Sequence, residues 1–120
     1  ALEPATKWAD INKAGAQAER ADLPNARATT QALIARFPDW SIGYNLQASL
    51  LDSMNRHEEA LDAYEKAVRA KPASALILTN QGNLQRRLGR LADARNSYEA
   101  ALRVQPGYAF TETQLASLPQ

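Results

Sequence analysis

Apolar residues in this chain recur at helical spacing in short stretches, and each stretch is cut off by a cluster of turn-forming or polar residues. "SIGYNLQASLLDSM" places Ile42, Leu46, Leu50 and Leu51 on one helical stripe. "NRH" interrupts it, and "EEALDAYEKAVRAKP" resumes with Ala60, Leu61, Tyr64, Ala67 and Val68. The next pair has the same design: "LILTNQGNLQRRL", then "GR", then "LADARNSYEAALRVQP". The spacing predicts pairs of helices joined by tight turns. Gly89 suits the left-handed residue that closes the first helix of its pair. Pro72 and Pro106 follow the second helices, where proline ends a helix without breaking it. Pro24 falls at the expected start of an earlier second helix, a tolerated place.

The pattern also repeats over a longer distance. "YEKAVRAKP" runs from Tyr64 to Pro72 and "YEAALRVQP" from Tyr98 to Pro106, 34 residues later. At the same interval Pro38 joins Pro72 and Pro106, Ala26 joins Ala60 and Ala94, and Ala14 and Ala48 align with Gly82. The first unit is degenerate, with Thr30 in the tyrosine position. A fixed period of this length signals a stack of repeated units. The small residues mark where paired helices cross, near Ala48 with Ala60 and Gly82 with Ala94, and the tyrosines fill the space beyond. A mid-helix glycine costs about 1 kcal/mol relative to alanine, so Gly82 is expected at a close approach.

In these residues the chain resembles the tetratricopeptide repeat family. Ala60, Tyr64, Ala67 and Pro72, and again Ala94, Tyr98, Ala101 and Pro106, match the family's second helix. The first helix is looser: Tyr44 and Leu78 hold the large position, while Gln47 and Gln81 replace the usual leucine, and Leu51 and Gln85 the aromatic. The resemblance implies an all-α fold, an α-solenoid in which antiparallel helix pairs stack into a right-handed superhelix. It implies one domain over 1–120 with repeats at 7–40, 41–74 and 75–108. "GYAFTETQLASL" then reads as a capping helix at about 109–118, because the last unit of a stack otherwise exposes apolar surface. Glu112 stands where earlier units carry Tyr44 and Leu78, as an exposed cap side would.

Composition narrows the function. Of 120 residues 45% are hydrophobic, which fits a folded core. Fourteen basic and 13 acidic side chains leave a net charge of +1, without the basic excess of a nucleic-acid binder. There is no cysteine, so no disulfide framework or thiolate metal site is available. No apolar run approaches the roughly 20 residues of a membrane span, so no membrane insertion is expected. A chain that begins at Ala1 without methionine is expected to be processed or trimmed.

Catalytic chemistry is hard to assemble. His57 is the only histidine. It lies near Asp52 and Ser53, but a turn separates it from Ser53 and nothing fixes a triad. It is expected as an exposed turn residue. Zinc would need about three or four protein ligands, which are absent. Glu58, Glu59 and Asp62 belong to the first turns of a helix, where acids favour the dipole. No phosphate-cradling glycine loop occurs. The expectation is no enzyme, no metal and no cofactor. "RRLGR" is the sharpest charge feature, with Arg86 and Arg87 read as anion contacts or as dipole-favoured cations. Trp40 is expected between units as core, and Trp8 as core or groove. Trp8, Ile42, Leu76 and Phe110 align in one apolar row.

What the resemblance implies about function is a concave face lined by the first helix of each unit, where peptides bind. On that pattern the face carries Trp8, Ile11, Asn12, Gly15, Ile42, Asn45, Leu46, Ser49, Asp52, Ser53, Leu76, Thr79, Asn80, Asn83, Arg86 and Arg87. The peptide-binding expectation centres on Ile42, Asn45, Ser49, Leu76, Asn80, Asn83, Arg86 and Arg87. Amides donate and accept at once, which suits a peptide backbone, and an acidic group is expected near the two arginines. The family's carboxylate clamp for chaperone C-termini would need lysine, asparagine and arginine where this chain has Ile11, Gly15, Leu46, Leu76 and Asn80, and is disfavoured. The expected role is a scaffold or adaptor that binds a segment of a partner protein. Alternatives are a targeting domain excised from a larger enzyme and a self-assembling homo-oligomer.

Overall fold

The computed structural model describes residues 4–20, 22–71 and 74–119. Among them seven α-helices follow one another: α1 (Pro4–Glu19), α2 (Leu23–Arg36), α3 (Ser41–Ser53), α4 (His57–Arg69), α5 (Ala75–Arg87), α6 (Leu91–Val104) and α7 (Ala109–Ala116). The chain is an all-α solenoid. α1 pairs with α2, α3 with α4 and α5 with α6, and each second helix also packs on the first helix of the next pair. α3, α5 and α7 begin 34 residues apart. No helix among the described residues is long and apolar enough to cross a membrane.

Local chemistry sets the helix ends. Arg90 N–H donates to Gln85 O at 2.9 Å and Gly89 N–H to Arg86 O at 3.0 Å, the paired bonds of a left-handed helix stop. Gly89 takes φ +80° there. One unit earlier Asn55 takes φ 61°, and Arg56 and Asn55 repeat the two bonds onto Leu51 and Asp52. Asparagine is one of the few side chains that tolerate this conformation. α4 has Glu58 and Glu59 in its first turn and Lys66 and Arg69 in its last, which complements the helix dipole. Pro24 sits in the first turn of α2. Pro38 and Pro106 follow α2 and α6 by two residues; Pro72 lies outside the described residues.

The core runs between layers. Ala48, Leu51, Ala60, Leu61, Tyr64, Ala67, Ile77 and Leu84 form one cluster that joins α3, α4 and α5. A second cluster of Ala94, Tyr98 and Leu118, with Leu115 against it, joins α6 to the end of the chain. Ala48, Ala60 and Ala94 have no exposed surface, as the expected helix crossings require. At Gly82 the approach is closest. An added Cβ would stand 2.6 Å from Tyr98 Cε1, so the tyrosine ring occupies the space a side chain would need. The loops before α3 and after α4 are tied as well: Ser41 N–H donates to Lys71 O at 2.7 Å and Lys71 N–H to Asp39 O at 3.0 Å.

Candidate functional site

α1, α3, α5 and α7 form one layer of the stack, with α1 packed on α3 and α5 on α7. Trp8, Ile42, Leu76 and Phe110 hold equivalent positions near the start of these helices. Ile42 is half-buried, while Trp8 is 51%, Leu76 46% and Phe110 38% exposed. Scattered exposed leucines need no explanation, but three of the chain's large exposed apolar side chains fall on one row. The row ends in aromatics on both sides. Trp8 meets Trp40 edge-on with ring centres 5.7 Å apart, and Phe37 meets Trp40 at 6.1 Å. Tyr108 and Phe110 make the same kind of contact at 6.0 Å. Trp40 is therefore half-buried under Trp8 rather than enclosed in the core.

Beside this row lie the amides. Asn80 is half-buried and, among the described residues, has no hydrogen-bond partner. Asn83 differs: its Oδ1 accepts from the Tyr98 hydroxyl at 2.5 Å. Asn45 Oδ1 is buried without a partner. Two of the three amides thus have their acceptor turned inward, against the expectation that each donates and accepts. Ser49 is exposed, and its carbonyl accepts from Ser53 Oγ at 3.0 Å. Ile11 and Leu46 are half-buried, Asn12 is exposed, and a Cβ at Gly15 would meet nothing within 4 Å.

The charged edge is tied into the joints between units. Arg87 Nη2 pairs with Asp52 Oδ2 at 2.5 Å. Arg86 Nη1 donates to Gln114 Oε1 at 3.0 Å and to Ser117 Oγ at 2.7 Å, fastening α5 to the last helix. Both cations were expected to face an acidic ligand group; Arg87 has its charge met by Asp52, while the hydrogen-bond partners of Arg86 are neutral. Arg90 pairs with Glu58. Arg36 pairs with Asp10 at 2.8 Å. Asp52 also meets His57 Nδ1 at 2.9 Å, so His57 is a half-buried partner of Asp52 rather than a bare turn residue. Ser53 points its hydroxyl at Ser49 O instead, and no triad forms. Among the described residues no cluster of histidine or carboxylate side chains could hold a metal ion.

Thr79 needs a correction. It is fully buried, donating to Ala75 O at 2.7 Å and lying 2.5 Å from Thr111 Oγ1. Its one proton goes to Ala75, so Thr111 donates to Thr79. The pair closes the α5–α7 seam and does not face solvent. Asn45 occupies the equivalent position one unit earlier, which accounts for its inward oxygen. The two repeat tyrosines are both held neutral: burial, then the Asp52 carboxylate, push the Tyr64 hydroxyl up to about 12, against the opposing Arg87 charge. Burial also pushes Tyr98 up, with Arg86 opposing it.

Sequence reasoning missed that Asp52, Arg86 and Gln114 build the inter-unit joints. Only Arg86 and Asp52 could have been suspected, as opposite charges at equivalent positions of neighbouring units. Two tetratricopeptide repeat profiles match residues 43–74 and 75–108. Among solved structures, the type III secretion chaperone SycD of Yersinia enterocolitica, in complex with a peptide of the translocator YopD, is similar with TM-score 0.80 and 16% identity over 96% of this chain and 90% of that one. The second repeat domain of human RPAP3, with an HSP70 peptide, gives TM-score 0.80 and 17% identity over 95% and 96%. The repeat domain of Sgt2 from Aspergillus fumigatus gives 0.82 and 17% over 98% and 78%. At these identities the likeness is one of fold.

Proposed function

We propose, on the premise that the chain belongs to the tetratricopeptide repeat family, that it is a non-catalytic interaction module whose α1, α3, α5 and α7 face holds a peptide segment of a partner protein. Three repeats act as one unit, with α7 as their cap. The observation that carries the proposal is the exposed row of Trp8, Leu76 and Phe110 along that face. Apolar side chains left in water gain on being covered, at about 25 cal/mol per Å². SycD and the RPAP3 domain, which share the fold, each hold a peptide. The segment packs apolar side chains against Ile42 and Leu76, and its backbone meets Asn45, Ser49, Asn80 and Asn83. Arg86 and Arg87 serve the joints between units. An acidic chaperone C-terminus is a poor fit here, since the positions that would clamp it hold Ile11, Gly15, Leu46, Leu76 and Asn80.

A peptide selected from a random display library, then titrated by calorimetry, tests this. Leu76→Ala with Asn80→Ala is expected to weaken binding at least tenfold with helicity unchanged. Asn83 is avoided as a probe because it also holds Tyr98. Reversing the exposed Glu65 and Glu99 of the opposite layer is expected to change little. Loss only in the Glu65/Glu99 variant moves the site to the second helices and ends the proposal.

A further inference from the structure

The layer opposite the peptide face holds a cavity of about 250 Å³. Glu58, Leu61, Asp62 and Glu65 of α4 form one wall, and Arg90 and Asp93 at the start of α6 form the other. Gln81 and Gln85 of α5 lie between them. The acids are not a property of the repeat. One joint earlier the positions of Glu58, Leu61, Asp62 and Glu65 hold Pro24, Arg27, Ala28 and Gln31. Nor are all of them spent within the chain. Glu58 pairs with Arg90, and Glu65 reaches Arg69 at 3.9 Å. Asp62 and Asp93 have no ion-pair or side-chain hydrogen-bond partner among the described residues, and Lys66, one turn beyond Asp62, does not pair with it. The helix dipole favours Asp93 in the first turn of α6, but Asp62 lies beyond the first turn of α4.

Carboxylates on a surface need no ligand to explain them, but the amide beneath them does. Gln81 is 9% exposed. Ser97 Oγ has one proton and gives it to Gln85 Oε1 at 2.6 Å. Its approach to Gln81 Oε1, at 3.4 Å, carries no proton and is too long for a hydroxyl donor. Gln81 is thus a buried side chain in the cavity wall with neither its donors nor its acceptor met, which costs free energy until something enters. The polarity is concentrated at this joint, since the second unit has Leu51 and Ala63 where the third has Gln85 and Ser97. The acceptors left in the cavity are Asp62, Asp93, Gln81 Oε1 and the outer oxygens of Glu58 and Glu65. The donors left are the amide N–H groups of Gln81 and Gln85 and those of Arg90 that Glu58 does not use. Two negative charges remain unanswered, so the ligand is a cation. It is not a metal ion, because among the described residues no three carboxylate or histidine side chains stand close enough to hold one. A guanidinium spans such a spread with five N–H donors in one plane, where a lysine ammonium is a compact point charge. Leu61 in the wall gives its alkyl stem an apolar surface. The exposed carboxylates repel the α-carboxylate of free arginine, whereas a peptide-bound arginine brings a neutral carbonyl for the Gln85 N–H.

We propose that this cavity is a second binding site, for an arginine side chain of a partner protein, with the guanidinium between Asp62 and Asp93 against Gln81 and its stem along Leu61. The site does not depend on the α1, α3, α5 and α7 face. The isotope-labelled full chain is titrated with the capped peptide Gly-Ser-Arg-Ser-Gly, and the side-chain amide signals of Gln81 and Gln85 are followed by nuclear magnetic resonance. The same peptide with lysine, the same with citrulline, and free arginine are titrated alongside. The arginine peptide is expected to shift both amide signals saturably. The citrulline peptide, which keeps the shape without the charge, is expected to bind about tenfold more weakly, and the lysine peptide and free arginine are also expected to bind more weakly. Asp62→Asn with Asp93→Asn is expected to weaken the arginine peptide about tenfold; both residues are exposed, and circular dichroism checks that the variant folds. Gln81→Leu is expected to weaken it too, with a melting temperature unchanged or higher, since an unmet buried amide is gone. Leu76→Ala with Asn80→Ala is expected to leave the arginine peptide unaffected, whatever it does at the peptide face. No saturable shift, equal binding of the citrulline peptide, or no loss in the Asp62 and Asp93 variant overturns the proposal. A lower melting temperature in Gln81→Leu shows that the amide is satisfied within the chain and overturns it as well. Equal binding of the lysine peptide overturns the guanidinium, and equal binding of free arginine overturns the partner protein as its source.

Discussion

The second and third helix pairs are built on one template, and a single methyl group separates their centres. In the α3–α4 pair, Ala48 lies at the crossing and Tyr64 packs beyond it, 6% exposed, with no side-chain hydrogen bond from its hydroxyl among the described residues. In the α5–α6 pair, Gly82 stands where Ala48 stood. The Tyr98 ring fills the space of the missing Cβ, is wholly buried, and its hydroxyl reaches Asn83. Unit two has Ser49 at the Asn83 position. Two neighbouring differences, Gly82 for Ala48 and Asn83 for Ser49, thus turn a tyrosine that only fills space into one that orients an amide on the candidate binding face. A repeat keeps its fold while its interior is retuned, and the face inherits the change.

The widest way to break this comparison is to strip the cover from one tyrosine only. Tyr98 shares its cluster with Leu118 and Leu115, which belong to α7 and the residues after it. Removing residues 109–120 is expected to cost on the order of 3 kcal/mol, the burial of about two leucines, and to leave Thr79 without Thr111. Chemical denaturation and sedimentation check it. A truncated chain that is equally stable and monomeric removes α7 from the role of cap.

Gly82→Ala acts at the centre of the comparison. Its Cβ would meet two atoms of the Tyr98 ring within 3 Å, and the expected loss is about 1–3 kcal/mol by overpacking. The mirror change, Ala48→Gly, is expected to cost about 1 kcal/mol through helix propensity alone. A melting temperature for Gly82→Ala at or above that of the wild type would show that the ring is free to withdraw.

Removing the hydroxyls sharpens the same contrast. Tyr98→Phe leaves Asn83 Oδ1 unpaired and is expected to cost about 0.5–1.5 kcal/mol, whereas Tyr64→Phe removes a hydroxyl that makes no side-chain hydrogen bond, at little or no cost. Equal losses in the two variants would erase the distinction between the units. The smallest effect is in alkali. The Tyr64 pKa is raised from 10.0 to about 12 in the folded state. Its contribution to stability is therefore complete below pH 10 and is lost as the pH climbs toward 12. The unfolding free energy from urea titrations between pH 9 and 10.5 is expected to fall by a few tenths of a kcal/mol near pH 10 from this group, and Tyr64→Phe is expected to remove that part.

The sequence alone determined where the helices start and stop, because those signals are local. Gly89 and Asn55 take the left-handed turn, Pro24, Pro38 and Pro106 bound the second helices, and the acids and bases of α4 sit at its matching ends. The 34-residue interval likewise marked the small residues of the crossings, since a close approach leaves its trace in side-chain size. It also aligned Trp8, Ile42, Leu76 and Phe110, and the structure leaves three of them exposed. Only the tertiary structure decided which polar groups remain to meet a ligand. Arg86, Arg87, Thr79 and the acceptor of Asn83 look equally available in the sequence, yet their partners Ser117, Asp52, Thr111 and Tyr98 come from other helices, 15 to 35 residues away. A hydrogen bond forms where distance and direction agree to within tenths of an ångström, and no spacing along a chain fixes that between helices.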